Sequence, residues 1–148
     1  RGLYPHHGCI RPAGRETRTE RQIDIDNAKR SGKGDVKKLT EERDKADKVL
    51  VGARQNAIKY YGKLKDDHPT FCTNPNKADP ARSTGCVDEV LYYLAYEHEQ
   101  AGELEKARKV YLELIQGWPQ SKFIPNAYLA FGELFFNEAQ GDPSKWDL

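Results

Sequence analysis

Residues 87–119, VDEVLYYLAYEHEQAGELEKARKVYLELIQGWP, decide the fold because they contain two helix-like segments around one turn signal. Apolar residues recur every three or four positions through 87–100 and again through 103–116, which is the spacing of an amphipathic helix. Gly102 separates the segments, and Trp118 with Pro119 ends the second one. The stretch therefore predicts two helices joined by a short turn.

The helical period continues on both sides of this stretch. Between Asp35 and Asp67 the apolar residues alternate spacings of three and four, which predicts one long helix or two abutting helices. Gly52 and Gly62 are the points where it can bend or break. Downstream, PNAYLAFGELFFNE at 125–138 predicts a further helix with proline in its first turn. No strand-like alternation is found, so the sequence predicts an essentially all-α fold.

Four positions recur at a constant offset of 50 residues. The matched pairs are Ala57 and Ala107, Tyr61 and Tyr111, Leu64 and Leu114, and Pro69 and Pro119. A small residue lets two helices approach, the tyrosine and leucine fill the space between helices, and the proline ends the helix before the chain turns back. Such self-similarity predicts stacked helical hairpins.

Residues from about 50 to 148 resemble the tetratricopeptide repeat (TPR) family, whose unit is a helical hairpin of 34 residues. The resemblance is carried by Leu91, Leu94, Ala95, His98, Gly102, Ala107, Tyr111, Leu114 and Pro119, and in a following unit by Tyr128, Phe131, Gly132, Phe135 and Gly141. The sequence departs from the family at His98, where tyrosine is usual, and at Leu114, where alanine is usual. Residues 117–136 are similar to repeats of bacterial cell-envelope proteins of the outer-membrane assembly lipoprotein and cell-division coordinator type.

This resemblance implies a TPR-like helical-hairpin solenoid with an extended N-terminal arm and a groove that binds proteins or peptides. The first helix of each unit lines the groove in that family. Carried over by position, the groove residues are Glu89, Tyr92, Tyr96, Glu99, Gln100, Asn126, Leu129, Glu133, Phe136 and Asn137. Aromatic side chains provide contact area and amides can hydrogen-bond a peptide backbone. Ordinary helix packing is the alternative interpretation for Tyr92 and Tyr96.

The sequence divides into a basic, weakly structured arm at 1–34 and a TPR-like helical domain at 35–148, with a loop insertion at 70–86. The arm has eight basic and four acidic residues and few apolar ones, so it cannot form its own core. We expect an extended or weakly helical segment that docks elsewhere, with a disordered tail as the alternative.

Cys72 and Cys86 bracket a stretch rich in Pro, Asn and Gly, which does not support a helix and needs another tether. We expect a disulfide between them, worth about 3 kcal/mol in the chain-entropy model and typical of an oxidising compartment. Two free thiols on an unrestrained loop are the alternative. The compartment expected from this pair is periplasmic, cell-envelope or extracellular.

Imidazole and thiolate groups cluster at the N-terminus, where His6, His7 and Cys9 form HHGC. These residue types bind zinc, but the surrounding glycines and prolines give no rigid frame, so we expect a tail and no metal site. His68 and His98 lie on predicted helices, where a packed or capping histidine is expected. No cofactor is expected.

Composition restricts the class of function. The 148 residues carry 24 Lys and Arg against 23 Asp and Glu, a net charge of +1, so we expect no nucleic-acid partner. The longest apolar or aromatic run is the seven residues Val90–Tyr96, so we expect no membrane span. The nucleophile-elbow, phosphate-loop and HExxH motifs are absent from the sequence, which favours a non-enzymatic role.

The predicted function is a protein-protein interaction scaffold of a bacterial cell-envelope or secreted assembly, either alone or in a homo- or hetero-oligomer. The alternative is a structural subunit that polymerises or coats a larger assembly through its arm and exposed helix edges. The chain has no Met, so we expect that Arg1 is not the start of the gene. The aromatic helix at 125–138 also lacks a complete partner helix, so we expect further chain or another molecule to cover it.

Overall fold

The computed structural model describes the backbone of residues 13–141 and the side-chain environment of residues 20–140. The described chain is mostly helical, which confirms the predicted all-α class at that level. Its elements in chain order are α1 (Ala13–Ser31), α2 (Val36–Asp67), β1 (Cys72–Asn74), β2 (Thr84–Cys86), α3 (Val87–Gln100), α4 (Leu104–Gly117) and α5 (Ile124–Gly141). None of the described helices has the length and hydropathy needed to cross a bilayer.

The long helix α2 begins where Asp35 satisfies its first turn, since the Asp35 Oδ1 atom accepts a hydrogen bond of 3.0 Å from the Lys38 N–H. It continues without a break through Gly52 and Gly62. No residue of α2 is fully buried, which fits a helix that packs along one side only.

The segment predicted as an extended or weakly helical arm, 1–34, is described in part. Residues 1–12 lie outside the described residues, and residues 13–31 form the helix α1. Ile25 and Ala28, three residues apart, are buried on one side of α1. The Arg43 Nη1 atom donates a hydrogen bond of 2.8 Å to the Gln22 Oε1 atom, which joins α1 to α2.

The two strands were not predicted, and they form one small sheet within the mostly helical described chain. Cys72 pairs with Cys86 and Asn74 with Thr84 in an antiparallel ladder. Three residues are too few to show the alternation that identifies a strand. The chain reverses between them because the Asn76 side chain accepts the Ala78 and Asp79 N–H groups at 3.1 and 3.0 Å. Gly85 has a φ of 65°, which favours glycine, and a Cβ atom placed there would lie only 3.1 Å from the Thr73 Oγ1 atom.

The chain divides into two compact units after Ala53, and the division falls inside α2. The N-terminal unit contains α1 and the first part of α2. The C-terminal unit begins at Arg54 and contains the rest of α2, the two strands and α3 to α5. The main core belongs to the C-terminal unit, and its buried members are Leu91, Leu94, Ala95, Ala107, Val110, Tyr111, Leu114, Ala127 and Leu134.

Helices α3 and α4 form an antiparallel hairpin around Gly102. This glycine has a φ of 77°, and the Glu103 N–H donates to the His98 carbonyl at 2.9 Å while the Gly102 N–H donates to the Glu99 carbonyl at 3.0 Å. The pattern is a Schellman motif, in which glycine takes the left-handed position at little cost. The turn predicted at Gly102 is therefore produced by backbone hydrogen bonds that favour glycine.

The offset of 50 residues recurs in the geometry of the helix ends. His68 N–H donates to the Leu64 carbonyl at 3.0 Å, and Trp118 N–H donates to the Leu114 carbonyl at 2.9 Å. The next turns also match, because the residues three further along, Phe71 and Ser121, donate to the His68 and Trp118 carbonyls. In the second copy the alanine, tyrosine and leucine are buried, and in the first copy they are half-buried.

Candidate protein-interaction surface

Helix α5 has one buried and one exposed apolar side. Its buried side is formed by Ala127 and Leu134, which are seven residues apart, and Ala139 near the end of the helix is also buried. On the other side Tyr128, Leu129 and Phe136 have 59%, 64% and 51% of their surface exposed. Single exposed apolar residues are common on protein surfaces, but three large ones on one helix form a patch of the kind that binds other proteins.

Leu129 and Phe136 are seven residues apart, so they lie on the same side of α5, about 10.5 Å apart along the helix axis. Gly132 lies between them, and a Cβ atom placed there would meet no atom of the described residues within 4 Å. We call the set formed by Tyr128, Leu129, Gly132 and Phe136 the α5 face. Two apolar side chains therefore flank a small notch on this face.

Polar side chains line one edge of the α5 face. The sequence-predicted residues Asn126, Glu133 and Asn137 are exposed on the same helix. An apolar centre with a polar rim is the usual composition of a protein-protein interface. This arrangement can exclude water from Leu129 and Phe136 while the rim forms hydrogen bonds with a partner.

Arg108 of α4 fixes the orientation of α5. Its guanidinium forms ion pairs with Glu138 of α5 and Glu105 of α4, and it lies 5.3 Å from the centre of the Phe135 ring. Partial burial lowers the pKa of Arg108, but the hydrogen bonds to Glu138 and Glu105 outweigh burial and raise it. Phe131 packs edge-on against Phe135 with ring centres 5.0 Å apart. The helix that carries the α5 face is therefore fixed to α4 by these contacts.

The predicted groove residues on α3 are half-buried and make contacts inside the unit. Tyr92 stacks on Phe123 with ring centres 4.8 Å apart and also contacts the Tyr111 ring. Glu89 accepts a hydrogen bond of 3.1 Å from the Gly85 N–H and lies 4.0 Å from the Lys122 ammonium group. These residues connect α3 to the strands and to the segment before α5.

The remaining predicted residues of α3 lie near its C-terminal end. Glu99 accepts a hydrogen bond of 3.2 Å from the Tyr111 hydroxyl, and the Gln100 carbonyl accepts one of 3.1 Å from Arg54. Burial of Tyr111, together with the nearby charge of Glu99, raises the pKa of that hydroxyl well above its ordinary value. Tyr96 is half-buried.

The ten predicted groove residues therefore divide into two sets. The five on α3 are half-buried, whereas the five on α5 are exposed, as required of residues that bind a partner. Within the described chain, α4 packs against both α3 and α5. Tyr128 is not among the predicted groove residues, although it lies on the same side of α5 as Leu129 and Phe136.

A cleft of about 320 Å³ adjoins the disulfide and was also missed. Cys72 and Cys86, joined by a disulfide with Cα atoms 3.9 Å apart, form part of its wall, with Phe71 and Trp118. Asp88 lies in it, buried, and accepts a hydrogen bond of 2.5 Å from the Ser121 hydroxyl. Asp88 and Ser121 are 33 residues apart, and no local pattern links them.

The histidines have separate outcomes. His6, His7 and Cys9 lie outside the described residues. His98 is buried, and its Nδ1 atom is 2.6 Å from Glu103 Oε2. This contact with His98, followed by the one with Lys106, lowers the pKa of Glu103. His68 is exposed at the end of α2. In the part of the chain that the structure describes, no three His, Cys, Asp or Glu side chains converge as metal ligands would.

Comparison with known proteins does not assign the chain to a family. No family model matches the chain, and neither a curated protein nor a solved structure matches it. The α5 face must therefore be interpreted from its own geometry and chemistry.

Proposed function

We propose that this chain is a non-enzymatic protein-interaction scaffold with a TPR-like helical-hairpin architecture, and that the α5 face binds a partner protein. The observation that carries the proposal is the exposure of Tyr128, Leu129 and Phe136 on a helix fixed to α4. Aromatic and aliphatic side chains on a rigid support lose little conformational freedom on binding, so they suit an interface centre.

The TPR-like architecture is supported by the repeated helix ends. Backbone hydrogen bonds at Leu64–Phe71 recur at Leu114–Ser121, and Ala107 is buried in the core as a close-contact residue of a repeat must be. A repeat protein buries each hairpin against its neighbours and uses the remaining surface to bind other proteins.

A bacterial cell-envelope or secreted assembly is the proposed setting, at a periplasmic, cell-envelope or extracellular location. The disulfide between Cys72 and Cys86 supports this location, because such bonds persist in oxidising compartments and are rare in the cytosol.

Matched pairs of apolar-to-serine substitutions test the role of the α5 face. The double variant Leu129→Ser and Phe136→Ser removes two apolar side chains from the α5 face, and circular dichroism verifies that it remains folded. The variant should lose the envelope protein that photo-crosslinks to the wild type from a probe at Tyr128. The control, Val49→Ser with Val51→Ser, removes two exposed apolar side chains from α2 of the N-terminal unit. Equal crosslinking by both double variants would contradict the proposal.

A structural subunit that self-associates is the second candidate, and the notch at Gly132 favours it. A glycine between two apolar side chains allows a second copy of α5 to approach closely, as small residues do in helix contacts. Light scattering coupled to size-exclusion chromatography separates the candidates. A mass that rises with concentration in the wild type, but not in the Leu129→Ser and Phe136→Ser variant, supports self-association. A constant monomer mass supports the scaffold.

A further inference from the structure

A groove lined by lysines lies within the C-terminal unit, between the last part of α2 and helix α4. It has a volume of about 600 Å³, and side chains of α3 also line it. Two acidic residues, Asp66 and Asp67, also line it. Its lysines are Lys59, Lys63, Lys65, Lys106 and Lys109. We call this the lysine groove. It shares no residue with the α5 face, so it is a separate surface.

The bottom of the lysine groove is apolar. Leu94 of α3 and Val110 of α4 are buried core residues that also line the groove, and half-buried Ile58 of α2 lies beside them. A cationic rim around an apolar bottom is complementary to a ligand that has both negative charge and an apolar side chain.

Three of the five lysines are paired within the protein. Lys65 lies 2.9 Å from Asp66 and 3.7 Å from Glu113, and Lys106 lies 3.1 Å from Glu103. The hydrogen bond to Asp66, followed by the charge of Glu113, raises the pKa of Lys65. Lys63 lies 4.0 Å from Asp67. These pairs consume part of the positive charge and position the side chains along the rim.

Lys59 and Lys109 differ from the other three. Both are exposed, and neither forms an ion pair with a carboxylate in the part of the chain that the structure describes. They occupy equivalent positions of the internal repeat, since they are 50 residues apart on the two helices whose ends match. The repeat therefore places one exposed ammonium group on each side of the groove, and the Lys59 ammonium group lies 5.9 Å from the centre of the Tyr60 ring.

Gly62 leaves space in the α2 wall. It lies inside a continuous helix, where glycine is an unfavourable residue, and a Cβ atom placed there would meet no atom within 4 Å in the described part of the chain. A ligand backbone can therefore approach α2 closely at this position.

We propose that the lysine groove binds an acidic peptide segment of a partner protein, in which carboxylates flank an apolar side chain. The carboxylates pair with Lys59 and Lys109, and the apolar side chain contacts the surface formed by Ile58, Leu94 and Val110. A single-stranded nucleic acid is disfavoured because none of the described residues that line the groove is aromatic and could stack on bases, and two aspartates do line it. This binding site goes beyond the proposed function of the α5 face and does not depend on it.

Charge reversal tests the ionic part of the site. The probe is a fluorescein-labelled peptide of alternating glutamate and leucine, measured by fluorescence anisotropy at low salt on the full chain. Lys59→Glu with Lys109→Glu should weaken its binding by about tenfold or more, because two attractions become repulsions. The control Lys45→Glu with Lys48→Glu makes the same change of charge at exposed positions on α2 of the N-terminal unit and should leave binding unchanged.

Filling the groove tests the site by a second route. Gly62→Leu places a side chain in the open space, so it should abolish probe binding while the Tm is maintained or raised. Gly52→Leu is the matched control, since Gly52 also lies inside α2 with open space around it, but in the N-terminal unit. Circular dichroism of all four variants verifies that each is folded.

Three results would overturn the proposal. The first is equal affinity for a peptide in which glutamine replaces every glutamate. The second is equal loss of binding in the control variants, which would indicate a diffuse charge effect. The third is tighter binding of a single-stranded oligonucleotide than of the acidic peptide, which would assign the groove to nucleic acid instead.

Discussion

At the scale of single residues, Ala107 decides whether α3 and α4 can pack closely. It is fully buried in the core, where interiors are as dense as organic crystals and leave no room for a larger side chain. Ala107→Trp should therefore lower the free energy of unfolding by about 1–3 kcal/mol or more, measured by urea denaturation. Ala53→Trp, at an exposed position of α2, is the control and should change it by less than about 0.5 kcal/mol. Similar losses in both variants would contradict the packing role of Ala107.

Glu103, at the turn between α3 and α4, makes the stability of the protein depend on pH. Its contact with His98, and next its contact with Lys106, lowers the pKa of Glu103 below the ordinary value of 4.5. A carboxylate with a lowered folded-state pKa stabilises the protein above its unfolded-state pKa, and this contribution is lost as the pH falls through the folded-state pKa. Below pH 4.5 the stability should therefore decline in the wild type.

Glu103→Gln separates this contribution from the rest of the acid unfolding. The variant should be less stable than the wild type at pH 5, and the difference should shrink steadily as the pH is lowered below 4.5. Urea denaturation at a series of acidic pH values measures both curves. If the two curves stay parallel over the whole series, protonation of Glu103 does not contribute to the pH dependence of stability.

At the scale of elements, local signals in the sequence located most of the helices. The pattern predicted 87–100 and 103–116, and the structure has Val87–Gln100 and Leu104–Gly117. These ends are determined within a few residues by Gly102 and by the turn after Trp118, so sequence alone reveals them. The fourth predicted helix, 125–138, is longer in the structure, at Ile124–Gly141.

Contacts between distant segments explain what the sequence could not reveal. Helix α1 has few apolar residues, and Ile25 is identifiable as a buried residue only once the chain is folded. The ion pair between Arg54 and Glu97 joins residues 43 apart, and the pair between Arg108 and Glu138 joins residues 30 apart. Neither leaves a local pattern. The exposure of the α5 face is likewise a property of how α5 packs on α4, since period alone does not distinguish a buried aromatic from an exposed one.

The ribbon of β1 and β2 depends on the disulfide more than on its own pairing, because two strands of three residues are marginal by themselves. The bond closes a segment of 14 residues in sequence separation. In the chain-entropy model, its removal by Cys72→Ser and Cys86→Ser should lower the free energy of unfolding by about 3 kcal/mol. Guanidinium denaturation of the oxidised wild type and the double variant measures this difference. An unchanged midpoint would show that the ribbon is held by other contacts, such as the Asn76 turn.

At the scale of the whole molecule, the burial of large side chains is uneven between the two units. Among the described side chains, the N-terminal unit buries Ile25 and Ala28, whereas the C-terminal unit buries a continuous core that includes Leu91, Tyr111 and Leu114. Opening free energies follow the apolar contacts that must be broken. The amides of α1 and of α2 before Ala53 should therefore exchange with solvent by local opening, well before global unfolding.

Native-state hydrogen exchange followed by mass spectrometry tests this expectation peptide by peptide. Protection in α3 and α4 should approach that of global unfolding, and low concentrations of denaturant should accelerate exchange there with a large slope. Amides of α1 should exchange at least about a hundredfold faster, with little dependence on denaturant, because each local opening exposes little surface. The Ala107→Trp variant supplies an internal check, since it destabilises the core of the C-terminal unit. It should accelerate exchange in α3 and α4 and leave α1 unchanged; an equal acceleration in α1 would mean that the chain unfolds as one cooperative body.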